Sequence, residues 1–281
     1  MEIIKWTYGS YLIVTPSKRV FIWDTGLENV ARNWSLPYIL RHIRPIQTDI
    51  IISHWHHDTH TAALPRLLAN DERLKFGELY TSGVYSSQRP EDIPTKDASL
   101  AALTNLAKDP KFIKRGDKIN DQDLTIEILS PCSDIQGDID TPGEYTDNPN
   151  RVGAVVAKFT FGDFSLLMTG DRGQQMLTDT LSLAANANAT VMQAPHHGAI
   201  GDISQDHIDI VQPELVVFSS APQTSNDTKE FLENQDIDVI RMGPLYAKPL
   251  KITANFDGSY TTKRLFWTVP YPRGVLINTV L

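Results

Sequence analysis

The sequence predicts a layered α/β fold, and three observations carry that expectation. Each half of the chain opens on short strands rich in Ile, Val, Tyr and Trp, joined by tight turns. Each half then passes into strand, loop and helix units, the alternation that builds sheets covered by helices. Some strands are apolar on both faces, as Ile50-Ile51-Ile52 is, which requires burial on both sides. No linker composition separates the halves of the 281-residue chain. The expectation is one domain over 1–281 with a polar insertion at 83–122.

In chain order, Ile3 to Tyr8, Tyr11 to Thr15 and Arg19 to Asp24 are predicted strands, with Gly9-Ser10 and Pro16-Ser17 as turns. Asp24-Thr25-Gly26 ends the third in a tight loop. Leu36 to Ile43 is a predicted short helix stopped before Pro45. Thr48 to Ser53 is a predicted buried strand, and Thr61 to Ala69 a predicted helix. The polar segment 83–122, with a predicted helix at roughly 97–108, reads as a substrate-covering insertion or as a surface connection. Leu124 to Leu129 is a predicted strand and 131–150 a loop. Val152 to Phe161 and Phe164 to Met168 form a predicted hairpin through Gly162-Asp163. Thr169-Gly170-Asp171 leaves that hairpin much as Asp24 leaves its own strand. A helix from about 173 to 185 and a strand from Thr190 to Gln193 are predicted next. Two β/α alternations follow, with strands at Leu215 to Phe218 and Val239 to Arg241. Lys251 to Phe256 and Tyr260 to Val269 are predicted to close the chain as a hairpin around Asp257-Gly258.

Composition narrows the function. The net charge of −8 gives no broad basic footprint for duplex nucleic acid, but it leaves small or single-stranded phosphodiesters open. Cys132 is the single cysteine, so no intrachain disulfide forms, and it reads as structural or inert. Met1-Glu2-Ile3-Ile4-Lys5-Trp6 does not read as a secretory leader, and no apolar run approaches the ~18 residues of a membrane span. The expectation is a soluble, cytoplasmic protein with no membrane partner.

Chemistry concentrates in Ser53-His54-Trp55-His56-His57-Asp58-Thr59-His60, which holds four of the eight histidines. Neutral imidazole and carboxylate together suit zinc, manganese or iron. Alternate residues leaving a strand share a face, so His54 and His56 are expected to point at one metal and His57 away from it. Asp58 either reaches a neighbouring ion and places the attacking water or caps the following helix. Asp24, Gly170-Asp171 and His196-His197-Gly198 follow other strands, at the loops where layered α/β proteins bind ligands.

The ordered set of Asp24-Thr25-Gly26, His54-x-His56-x-Asp58, Gly170-Asp171 and His196-His197-Gly198 resembles the metallo-β-lactamase superfamily across nearly the whole chain. Within it, the chain is most similar to the hydrolase-like domain of bacterial competence DNA-uptake channels (ComEC-like), here free-standing. The stretches Tyr8 to Val14, Asn150 to Val156, Leu167 to Asp171 and Ala194 to Gly198 carry that likeness. The resemblance implies a four-layer αββα sandwich of mixed sheets with one or two divalent ions, Zn or Mn. His54 and His56 would hold a first ion, Asp58 and His197 a second, and Asp171 would bridge them. His196 would contact substrate or protonate the leaving group, its role interchangeable with that of His197. Asp24 would orient a ligand, and Gly198 would let backbone approach closely.

Two departures from the pattern bear on the ligands. Thr59 stands where the superfamily has His. Either one inserted residue displaces the ligand to His60, or Thr59 is a true replacement. No histidine lies between His60 and His196, so Asn148 or Asn150 would stand in for a third imidazole. The implied reaction is hydrolysis by a metal-activated hydroxide, with a phosphodiesterase or nuclease favoured. Substrates would be small molecules or single-stranded nucleic acid. A lactone, thioester or β-lactam hydrolase, or a degenerate ligand-binding member, fits the same residues. His42 and His207 are expected to be ordinary, partly buried helix residues, and Trp55 a packing residue.

Overall fold

The structure, a computed structural model, describes residues 1–6, 9–56, 60–82, 93–131, 153–199, 201–218, 226–242 and 249–265. The first strands are β1 (Glu2–Lys5), β2 (Tyr11–Val14), β3 (Arg19–Trp23), β4 (Gln47–Ile52), β5 (Phe76–Thr81) and β6 (Lys111–Phe112). There follow β7 (Lys118–Asp121), β8 (Leu124–Ser130), β9 (Val156–Phe161), β10 (Phe164–Met168), β11 (Val191–Gln193), β12 (Leu215–Phe218) and β13 (Asp238–Arg241). A last hairpin pairs β14 (Leu250–Ala254) with β15 (Tyr260–Arg264).

Two mixed sheets result. One runs β15-β14-β1-β2-β3-β4-β5-β6 and the other β13-β12-β11-β10-β9-β8-β7. Each is antiparallel where hairpins join its strands and parallel where helices cross over, from β3 to β6 and from β10 to β13. Alternate residues explain how the sheets stack. Ile3, Ile13, Phe21 and Trp23 meet Ile126, Phe159, Leu166 and Met168 in a core between the sheets. Their neighbours Ile4, Leu12, Ile22 and Ile50 face outward, against Leu64 and Leu67 of α1 (Leu64–Leu68). On the far side, Val156, Leu167 and Val216 meet Leu177 of α4 (Gln174–Ser182) and Ile208 of α5 (Gln205–Val211). Both faces of each central strand are thus buried, in a four-layer αββα sandwich. The remaining helices are α2 (Asp71–Leu74), α3 (Ile93–Asn105) and α6 (Asn226–Glu233). Among the described residues no helix is long and apolar enough to cross a membrane.

Several elements differ from the sequence expectation. The helix expected at Leu36 begins at Glu28, as successive α- and π-helical turns that run to Ile43. Asn29, Asn33 and Ser35 are weak helix formers, and packing of Val30, Leu36 and Ile39 on the first sheet overrides them. Arg44 ends the run in the left-handed conformation, φ 54°. The second-half strand expected from Val152 begins at Val156. Within 83–122, the helix spans Ile93–Asn105, while β6 and β7 form an outer edge of each sheet. Edge strands with an exposed face can be polar, which hides them in composition.

Candidate metal centre

The C-terminal ends of β3, β4, β10 and β11 lie on one rim of the sandwich, and the residues just beyond them are Asp24, Ser53-His54, Gly170-Asp171 and Pro195 to Gly198. Two backbone bonds lace these loops together. Val155 N donates to Ser53 O at 2.7 Å, and His196 N donates to Gly170 O at 3.1 Å. Asp24, His196 and His197 adopt left-handed backbone, φ 49°, 45° and 64°. That conformation costs a non-glycine residue about 1–2 kcal/mol and persists only where the surroundings impose it.

Asp24 organises the corner. Its buried carboxylate accepts from Ser53 N at 2.7 Å, from Ser53 Oγ at 2.7 Å and from His60 Nδ1 at 2.8 Å. Ser53 Oγ has given its one proton to Asp24, so it accepts from His54 Nδ1 at 3.0 Å. Both imidazoles therefore keep a proton on Nδ1 and turn Nε2 toward Asp171. Those Nε2 atoms lie 3.7 Å (His54) and 3.6 Å (His60) from Asp171 Oδ2, and His197 Nε2 lies 3.6 Å from Asp171 Oδ1. Such separations are too long for hydrogen bonds. Ligand atoms about 2.1 Å from a four-coordinate ion stand roughly 3.4 Å apart, so the spacing suits a shared cation.

Satisfaction of polar groups points the same way. His54, His60 and Asp171 each bring a ligand atom within 4.8 Å of the others. His54 Nε2, His60 Nε2 and Asp171 Oδ1 are buried with no hydrogen-bond partner. Each such buried acceptor left alone costs about 1–3 kcal/mol. A divalent ion among them would satisfy all three, so the donor set fits one.

The electrostatics are those of a ligand cluster. Burial, with His60 next in effect, holds His54 well below the usual histidine range. Burial also lowers His197 to about 4. His60 differs: burial opposes its charge, but the carboxylates of Asp24 and Asp171 raise it to about 10. Burial alone would raise Asp171, yet His197, His60 and His54 hold it well below the usual carboxylate range. A cation at His60 Nε2 competes with a proton for the same lone pair.

No model of a known protein family matches the sequence. Over 108 residues the chain is 26% identical to ComE operon protein 3 of Bacillus subtilis (strain 168), covering 38% of this chain and 12% of that protein. Among solved structures, the metallo-beta-lactamase fold protein YhfI of Bacillus subtilis superposes with a TM-score of 0.53 at 12% identity, over 93% of this chain and 98% of that one. The chain has the metallo-β-lactamase fold. CmlA, a diiron beta-hydroxylase from Streptomyces venezuelae, superposes with a TM-score of 0.55 at 12% identity, over 94% of this chain. The chain spans about half of CmlA, 54%, and a small part of ComE operon protein 3.

In this metallo-β-lactamase fold, His54, His60, Asp171 and His197 converge on the sandwich rim. His56 stands beside them, its ring centroid 6.0 Å from that of His54 and 5.9 Å from that of His60. Strand β4 ends at Ile52, so the alternation expected to align His54 with His56 does not continue through the histidine stretch. His57, Asp58 and Thr59 lie outside the described residues, as do Cys132, Asn148 and Asn150. Thr61 N and Oγ1 both donate to His56 O, at 3.0 and 2.9 Å.

His196 Nδ1 bonds Asp202 Oδ2 at 2.6 Å. Sequence reading singles out neither Asp202 nor Ser53, because both act on histidines through space. Gly198 allows a close approach, but to Phe218: a Cβ there would stand 3.0 Å from that ring. His42 is exposed and stacks on Tyr38 at 5.3 Å, not partly buried, because it lies on the solvent side of its helix. His207 is fully buried; its Nε2 donates to Gln174 O at 3.0 Å and lies 2.9 Å from Thr178 Oγ1, and its Nδ1 accepts from Ser204 N in a capping box. Trp55 packs in the outer core beside β4.

Gly9 braces the candidate metal centre from the β1–β2 turn. A Cβ at Gly9 would stand 2.8 Å from His60 Cε1 and 3.0 Å from Nδ1. Gly9→Ala is expected to push the ring off Asp24 and weaken zinc binding by about 10-fold, the scale of losing a supporting contact. Competition with a fluorescent zinc chelator measures it; unchanged affinity would show that the ring yields freely.

Lys5 is fully buried at the same rim, its Nζ 4.1 Å from the Tyr11 ring centre. Burial lowers its pKa to about 7, against the pull of Asp24. Because the folded value lies below the unfolded one, the buried ammonium destabilises the fold fully below pH ~7, and the penalty fades as pH rises toward ~10.5. Lys5→Met is expected to raise the melting temperature at pH 6, with a difference that shrinks by pH 10. The contribution of His60 is common to both chains and cancels. A pH-independent difference between the two melts would contradict this account.

Proposed function

We propose that this chain is a metal-dependent hydrolase whose substrates are phosphodiesters, either small molecules or short single-stranded nucleic acid. The observation that carries the reading is the convergence of two buried Nε2 lone pairs and the Asp171 carboxylate at 3.6–3.7 Å. His54, His60, Asp171 and His197 would hold one or two divalent ions, zinc or manganese, with His56 and Asp58 as further candidate ligands. Such ions, when bound, supply water of near-neutral pKa and neutralise charge on a phosphoryl oxygen.

The chain's own residues do the remainder. Asp24 and Ser53 engage Nδ1 of His60 and His54, so that Nε2 of each ring is the atom turned toward a metal. Asp202 bonds Nδ1 of His196 and so orients the ring that would contact a substrate oxygen. Similarity to ComE operon protein 3, and the likeness of the sequence motifs to competence-channel hydrolase domains, favour a phosphodiester over a lactone, thioester or β-lactam.

The test is hydrolysis of bis(p-nitrophenyl) phosphate, chelation of the metal, and restoration with manganese or zinc. Turnover that is lost on chelation and regained on addition is the expected result. Turnover of lactones alone would move the chain to the other hydrolase class. A chain that binds less than one metal and turns over nothing would be a ligand-binding scaffold.

A further inference from the structure

The rim that carries the metal centre continues past it. Leu250 pairs with Lys5 of β1 on one side and with Arg264 of β15 on the other, so Arg264 ends its strand at the same edge as the metal site. Arg241 does likewise in the second sheet, where β11, β12 and β13 run parallel from the His196-His197 turn. Between β13 and β15 the sandwich opens into a cleft of about 380 Å³, lined by Val239, Ile240, Leu250, Arg241, Lys263 and Arg264 among others. Among the described residues no carboxylate lines it, in a chain with 34 Asp and Glu against 26 Lys and Arg. Arg264 is pinned across its mouth. It donates from Nη2 to Arg241 O and from Nη1 to Met242 Sδ, each at 2.9 Å, while Arg241 Nη1 donates to Asn226 Oδ1 at 2.7 Å.

We infer that this cleft is a second anion-binding site, which holds phosphates of a single-stranded nucleic acid several nucleotides away from the bond at the metal centre. The inference rests on the phosphodiester reading above. Two strand spacings, about 10 Å, separate β11 from β13, and four, about 19 Å, separate β3 from β15. A small phosphodiester seated at the metal therefore touches none of these cations, whereas a strand of several nucleotides reaches them along the rim. A cluster of cations at a cleft concentrates positive potential on an otherwise acidic chain. Guanidinium groups held in place by their own hydrogen bonds suit phosphate oxygens.

The experiment uses the full chain with its metal restored. Anisotropy of a fluorescent phosphorothioate strand of about twelve nucleotides, which resists cleavage, reports binding. The variants are Arg264→Gln and, because Lys263 is exposed, Lys263→Glu. Each is expected to weaken binding at least ~10-fold at low salt and to lower the salt slope by about one. Turnover of bis(p-nitrophenyl) phosphate by Lys263→Glu is expected to stay within about twofold of the parent. Normal strand binding by both variants overturns the cleft, whatever the reporter shows. Impaired binding in a chain that never hydrolyses the reporter keeps the cleft and removes the hydrolase reading.

Discussion

Replacing Asp171 with Ala is expected to strip the protein of metal and activity together. The carboxylate stands within 3.6–3.7 Å of three imidazole nitrogens, so its removal takes away the anion that, among the described residues, faces all three. Elemental analysis should fall from at least one transition metal per chain to a small fraction. Hydrolysis of the phosphodiester reporter should fall by at least about 100-fold, the scale of losing one electrostatic stabiliser. Full metal occupancy in the variant would remove Asp171 from the ligand set.

Asp24→Asn is the second large effect, and it acts without touching the metal. The carboxylate accepts three hydrogen bonds, from Ser53 N, Ser53 Oγ and His60 Nδ1. An amide offers one oxygen and adds two donors. Donor would then face donor at Ser53 or at His60. His60 can escape only by moving its proton to Nε2, which is the atom turned toward Asp171. Metal affinity should drop by about 10–100-fold and stability by about 1–3 kcal/mol. Isothermal titration with zinc and thermal melting of the metal-free chain measure the two separately. An affinity within twofold of the parent would show that Asp24 does not set the tautomer.

What the sequence discloses follows from how local each feature is. The histidine density after Ile50-Ile51-Ile52 and the Gly170-Asp171 and His196-His197 motifs are each contiguous in the chain, and they are legible without the fold. The two-sided burial of β4 is written in its own residues. By contrast, the choice between His56 and His60 as the partner of His54 depends on the turn that follows Ile52, where strand parity ceases to apply. Asp202 and Ser53 are polar loop residues until the fold sets them against imidazoles. Lys5 carries no local sign of its burial. It is buried because β14, from the far end of the chain, pairs with β1 and turns an apparent edge into an interior strand. The strands at 111–112 and 118–121 are polar for the opposite reason: they are true edges.

The central claim is that a divalent ion sits among His54, His60 and Asp171. A crystal of the manganese- or zinc-loaded protein, measured at the absorption edge of that element, locates the ion directly. An anomalous peak about 2.0–2.2 Å from Nε2 of His54, Nε2 of His60 and a carboxylate oxygen of Asp171 is the expected result. No peak there, or a fully occupied one elsewhere on the chain, would contradict it.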